Sequence, residues 1–167
     1  MTRFAGCVVV ALAVVGCSNQ EWSPVAATSA AGSSQASSGA PVPAPETYIS
    51  DSCGFPIRVD LDGKVKEIPL PGDRLKVLFP GFSTTMTNPA NGKSVSFSST
   101  GSFHIVFLPN GHTSIKYTGR NGYDDPILGR ILFLIGNFSE EFDGNFDVVT
   151  PLSGNGQIID VCARLAS

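Results

Sequence analysis

Hydrophobic and polar positions alternate with a period of two through most of the chain after Tyr48. In Lys93–Ser99, Val95 and Phe97 take one side while Ser94, Ser96 and Ser98 take the other, as in a half-buried strand. The same alternation runs through Ile57, Val59 and Leu61, through Leu75, Val77 and Phe79, through Phe103, Ile105 and Phe107, and through Ile115 and Tyr117. Turn-forming pairs punctuate these runs: Asp62-Gly63, Pro71-Gly72, Pro80-Gly81, Asn91-Gly92, Asn110-Gly111, Asn121-Gly122, Asp143-Gly144 and Asn155-Gly156. In each, Gly, Asn or Asp supplies backbone angles that tight turns require. Two segments differ. Ile127–Ile135 is almost continuously apolar around Gly129 and Arg130, which predicts a strand buried on both faces. In 64–70, Val65 and Ile68 fall out of phase, which predicts a bulge or turn. The pattern predicts an all-β domain over residues 48–167: a single antiparallel sandwich or small barrel of about eight or nine strands, without a helix.

The first residues follow another rule. Arg3 precedes the apolar run Phe4–Val15, which as a helix spans roughly 18 Å and is too short for a bilayer. A short basic start, an apolar stretch and a small residue before a cleavage point describe an export signal over residues 1–16. Its end, Val14-Val15-Gly16-Cys17, resembles a bacterial lipobox, with Val14 where Leu is commoner. The resemblance implies that Cys17 carries a diacylglyceryl group after cleavage. Two acyl chains give stable anchoring where one is marginal. Residues 17–47 then form a Ser, Ala and Pro tether without apolar periodicity, so nothing offsets the entropy of ordering it. As a coil it has a root-mean-square span of roughly 30 Å. Trp22, close to the lipid, suits the membrane interface.

Composition narrows the function classes. With 11 basic and 14 acidic residues and a net charge of −3, the chain has no general nucleic-acid-binding character. Gly 18 and Pro 12 fit a turn-rich β domain rather than a helical bundle. Once Cys7 leaves with the signal and Cys17 is lipidated, Cys53 and Cys162 remain. In an exported protein two leftover thiols pair, which predicts a disulfide joining the start of the domain to its end.

Candidate chemistry is sparse. No G-x-S-x-G nucleophile turn is present, His104 falls mid-strand and His112 in a turn, so no catalytic residues are expected and the protein is read as a non-enzyme. Two histidines and two paired cysteines do not make a zinc set, and no cofactor is expected. Carboxylates cluster at Asp60-x-Asp62-Gly63, read as a hairpin, and at Glu140, Glu141, Asp143 and Asp147, a weak calcium candidate by oxygen count. Arg120, Asn121, Tyr123, Asp124 and Asp125, ending before Pro126, are read as a loop able to carry recognition on a β scaffold.

The segments Cys53-Gly54-Phe55-Pro56, Thr87-Asn88-Pro89-Ala90-Asn91-Gly92-Lys93-Ser94-Val95 and Asp160-Val161-Cys162-Ala163-Arg164-Leu165 resemble a group of small exported proteins and lipoproteins of actinobacteria and their temperate phages. The likeness covers most of residues 51–165. Its motifs are turn and disulfide residues, so it implies a fold rather than an activity, and the group has no assigned reaction. Three expectations follow: a lipid-anchored surface protein with a non-enzymatic β domain that binds a protein or envelope partner; a prophage lipoprotein of superinfection exclusion acting on incoming phage; or a small barrel carrying an apolar ligand. The expected location is the outer face of the cytoplasmic membrane, with attachment through the lipid on Cys17 and no nucleic-acid partner.

Overall fold

A computed structural model describes residues 39–166. Cys17, Trp22 and the signal segment lie outside the described residues. Eleven strands and one short helix follow in order: β1 (Val42–Pro43), β2 (Glu46–Ser50), β3 (Ile57–Asp62), β4 (Lys64–Leu70), β5 (Arg74–Leu78), β6 (Ser83–Thr87), β7 (Ser94–Ser98), β8 (Ser102–Phe107), β9 (Thr113–Asp125), β10 (Arg130–Phe142), β11 (Val148–Asp160) and α1 (Val161–Leu165). They form two antiparallel sheets, one ordered β1-β4-β5-β8-β9-β10-β11 and one ordered β2-β3-β6-β7. The all-β antiparallel sandwich is therefore the fold. The barrel alternative is corrected: β1 and β11 are separate edges of the large sheet, and nothing closes it.

Three local readings also change. Asp62-Gly63 is not a hairpin: β3 pairs with β2 and β6, whereas β4 pairs with β1 and β5, so the chain crosses there between sheets. Asn121-Gly122 and Asn155-Gly156 are not turns but lie inside β9 and β11. Strand pairing begins at Val42, ahead of Tyr48, with Val42 opposite Val65 and Pro43 opposite Lys64.

Two apolar clusters fill the interior. The first lies between the sheets: Ile57, Val59, Met86 and Phe97 of the small sheet meet Ile131 and Phe133 of β10, with Val161, Cys162 and Leu165 of α1. The Phe97 and Phe133 rings stack at 4.1 Å between centroids. The disulfide Cys53–Cys162 ties the start of the domain to α1, with Cα atoms 5.2 Å apart across 109 residues of sequence. Closing so long a loop contributes up to ~4.7 kcal/mol in the chain-entropy account. The other fastening of α1 is polar. Asn88 and Asn91 donate to the Leu165 carbonyl at 3.0 and 3.1 Å, and the Lys93 ammonium donates to the Ala166 carbonyl at 2.6 Å. Thus the Thr-Asn-Pro-x-x-Gly-Lys-Ser hairpin satisfies the Leu165 and Ala166 carbonyls at the helix end, beside the Ala166 N–H that caps the Cys162 carbonyl.

The second cluster exists because the large sheet folds over. It comprises Tyr117, Tyr123, Leu132, Leu134 and Phe138, with Phe103, Ile115 and Leu152 against them. Tyr117 and Tyr123 lie on the same side of β9, where six residues of flat strand separate them by ~20 Å, yet their ring centroids are 5.6 Å apart. The bend falls on a rung of glycines, Gly119 opposite Gly136 opposite Gly156. A Cβ on Gly136 would stand 2.8 Å from the Gly156 Cα, and one on Gly156 would stand 2.9 Å from the Gly136 Cα. Neither distance is tolerable, so only bare backbone passes this crease.

The crease makes a testable distinction. Gly136→Ala should lower stability by ~2 kcal/mol or more, read as the midpoint of urea unfolding. Gly72→Ala, at φ +75° against +144° for Gly136 and with open space around its Cβ, should lose only about 1 kcal/mol. Equal losses would mean that neither the close approach nor the extreme φ of Gly136 makes the crease a glycine site.

Candidate functional site

Inside the fold of the large sheet sits a charged group. Glu140 is 2% exposed because alternation along β10 carries it inward with Phe138, while Ser139 and Glu141 point out. Its carboxylate accepts hydrogen bonds from the Tyr117 hydroxyl through one oxygen and from the Tyr123 hydroxyl, at 2.6 Å, through the other. Burial pushes the Glu140 carboxyl above its ordinary range, against the two phenol hydrogen bonds, which pull it down, and with a further upward push from Asp125. Burial followed by the Glu140 charge raises Tyr117 far above the ordinary phenol range, and burial with the Glu140 hydrogen bond does the same to Tyr123.

Over this core opens an apolar groove of about 470 Å³. Its walls are Leu132, Pro151, Leu152 and Ile158 with Ile127 and Leu128 of the β9–β10 turn, and Tyr123 and Asp125 lie at its floor. Asp125 shapes the turn: its Oδ1 accepts from the Ile127 and Leu128 backbone N–H groups at 2.9 and 3.0 Å. That geometry thrusts two large apolar side chains outward, Ile127 at 58% and Leu128 at 60% exposure, beside Ile158 at 50%. Arg130 and Asp160 close one side with a 3.1 Å ion pair. The groove borders β11, a 13-residue edge strand of the large sheet. The groove is open to solvent rather than an enclosed chamber.

The residues singled out in the sequence are dispersed. The expected recognition loop is corrected: Arg120, Asn121, Tyr123, Asp124 and Asp125 belong to strand β9 and alternate between its faces. Asn121, Tyr123 and Asp125 are buried. Arg120 instead donates from Nε to the Ser98 carbonyl at 3.0 Å, its guanidinium 6.0 Å from the Phe133 ring centroid. Asp124 accepts from the Ser52 hydroxyl at 2.7 Å, which in turn accepts from Ser50 at 3.0 Å. Burial raises Asp124, and burial with the Asp124 and Glu46 charges pushes Tyr48 up to about 12. The four acidic residues of the calcium candidate do not converge. Glu140 is held by tyrosines, Glu141 accepts from His112 Nδ1 at 2.7 Å, and Asp143 Oδ1 accepts from the backbone N–H groups of Asn145 and Asp147 at 2.8 and 3.0 Å. Those turn hydrogen bonds lower the Asp143 carboxyl. Among the described residues no group of three or more His, Cys, Asp or Glu is arranged to hold a metal ion.

The His112–Glu141 pair is a contact the sequence does not advertise, since 29 positions separate its members. It is two parts of a general-base relay. Among the described residues no serine, threonine or cysteine hydrogen-bonds this imidazole as the third. Glu140 was equally hard to see as a core residue. The one signal is its parity with Phe138, two positions earlier in an alternating strand.

The raised Glu140 carboxyl fixes a sign for pH dependence. The unfolded chain releases this proton near the ordinary Glu value of about 4.3, while the folded chain holds it longer. Stability from this group is thus complete below that value and is lost as pH rises through the higher folded value. Urea midpoints should therefore fall between mildly acidic and neutral pH, and Glu140→Gln should flatten that fall. An unchanged slope in Glu140→Gln would assign it to other groups, with Asp124 next.

No family model, no curated protein and no solved structure matches this chain.

Proposed function

We propose that the protein is a lipid-anchored envelope protein whose β domain is a non-enzymatic interaction module, with the groove between the β9–β10 turn and β11 as its contact surface. The observation that carries this reading is the exposed trio Ile127, Leu128 and Ile158 around an open apolar groove. A small domain leaves such side chains together in water where a partner covers them. The backbone hydrogen bonds that Ile127 and Leu128 donate to Asp125 fix the turn and support it further, because a preorganised apolar protrusion loses little entropy on binding. The anchor half rests on the sequence: the lipobox-like Val14-Val15-Gly16-Cys17 and the tether after it. Attachment through lipid confines partner search to the membrane surface, which raises the effective concentration of any envelope component.

The two halves have separate tests. In an exporting actinobacterial host, the full chain should incorporate labelled fatty acid and fractionate with membranes, and Cys17→Ala should abolish both. Loss of neither would remove the anchor from this reading. A photo-crosslinking residue at position 128 should join the domain to a single envelope partner, and Ile127→Asp should reduce that product at least about tenfold, the equivalent of one well-buried apolar contact. Because residue 127 is exposed, the unfolding midpoint should stay within about 0.5 kcal/mol of the parent. Crosslinking indifferent to Ile127→Asp would overturn the groove as the contact surface.

A further inference from the structure

The strand register gathers positive charge that the composition conceals. On β5, β8 and β9, Lys76, His104 and Lys116 stand directly opposite one another in a single rung. Two positions along β5, on the same side of the sheet, is Arg74; on β4, Lys66 shares that side, opposite Leu78. Four of the chain's eleven Lys and Arg residues thus share one face of one sheet in a protein of net charge −3. Like charges placed directly across neighbouring strands repel. The effect is visible at His104, whose imidazole is lowered by partial burial and then by Lys76 and Lys116. By alternation Glu67, opposite Val77, turns the other way, and Glu141, which does lie on this side, is engaged by His112. On the outer face of the small sheet, by contrast, Arg58 is paired with Asp60 at 2.9 Å, and hydroxyl pairs fill the rest, Thr85 with Ser96 and Thr87 with Ser94.

This basic face is the part of the large sheet that the small sheet leaves uncovered. Beyond the glycine crease the same side of β10 presents Ile131 and Phe133 to the sandwich core. Before the crease it presents Lys116 and its neighbours to solvent. The chain also enters the domain at the edge of the sheet next to these strands: β1 pairs with β4, Pro43 opposite Lys64 and Val42 opposite Val65. The segment that leads back to Cys17 therefore joins the domain at the strand that carries Lys64 and Lys66.

We infer that the face formed by Lys66, Arg74, Lys76, His104 and Lys116 docks on the anionic headgroup surface of a phospholipid bilayer. The choice of a membrane over other polyanions rests on the anchored reading above and on the point at which the tether joins the sheet. A slightly twisted plane of cations reaches many lipid phosphates at once, and each basic residue adds its own attraction to an anionic leaflet. The attraction acts within a Debye length of about 10 Å at 0.1 M salt. A tether holds the domain at high effective concentration beside the bilayer, so a face too weak to recruit a free protein suffices to orient an attached one. The groove belongs to the opposite side of the sheet: Leu132 and Tyr123 alternate away from the positions that continue the basic face. Docking on the cations turns the apolar groove outward.

The test uses the chain from residue 17 with Cys17→Ser, so that no lipid contributes. Its probe is sedimentation with phosphatidylcholine vesicles containing about a third phosphatidylglycerol, beside vesicles of phosphatidylcholine alone. Binding should occur on the anionic vesicles only and weaken with salt. Lys76→Glu with Lys116→Glu should reduce the partition coefficient at least about tenfold. Arg58→Glu with Arg164→Glu makes the same change in net charge elsewhere and should change it less than about twofold. Circular dichroism and an intact disulfide verify folding of each variant. Absence of binding, equal binding to both vesicles, or equal loss in both double variants would overturn the proposal, as would preference for soluble polyphosphate or DNA over anionic vesicles. Fatty-acid labelling of Cys17 in the full chain is scored separately, so a failed face and a failed anchor give different results.

Discussion

In the rung of Gly119, Gly136 and Gly156, the Gly136 and Gly156 backbones lie on one another with no room for a methyl group. The rest of the domain depends on that contact. Three 13-residue strands left flat would expose one apolar face along their whole length. Folded at the crease, they close part of that face on itself, and the same strands beyond it cover the small sheet with the other face. A single sheet thereby serves two cores on its two sides. This explains why Ile131, Leu132, Phe133 and Leu134 are all buried in succession, a pattern that an antiparallel sheet with one wet face does not produce.

Closure at the crease also traps Glu140. A carboxylate taken from water is costly unless its oxygens are satisfied, and here two tyrosine hydroxyls reach it from the two sides of the bend in β9. Each tyrosine contributes ring surface to the cluster and a polar tip to the acid, the division of labour for which a buried Tyr is suited. The acid in turn specifies the fold angle, since Tyr117 and Tyr123 share one partner only when the strand between them is bent.

Alternation in single strands made the sandwich and its buried faces readable, and the count and setting of Cys53 and Cys162 made the disulfide readable. Both signals are local or compositional. The crease was not readable for a physical reason: Asn121-Gly122 and Asn155-Gly156 have the residues of tight turns, and a glycine needed for close approach between strands looks the same in sequence as one needed for a positive φ. Reading Asn121-Gly122 as a turn made 120–125 a loop and hid the parity linking Tyr117, Asn121, Tyr123 and Asp125. The contacts His112–Glu141 and Tyr123–Glu140 required pairings of β9 with β10 and of the β8–β9 turn with the β10 end, which no spacing announces.

The same register accounts for the charge distribution. Lys76, His104 and Lys116 are unremarkable in sequence, each the outward residue of an alternating strand, and they become neighbours only because β5, β8 and β9 are adjacent. Folding alone gains nothing from that rung, since its members repel in the folded state and are far apart in the unfolded one. A cross-strand repulsion of this kind, at a few tenths of a kcal/mol per pair, is small against the stability of a domain but systematic in sign. An external anion reverses that sign. The inferred bilayer contact thus supplies the favourable interaction that the fold itself lacks on this face.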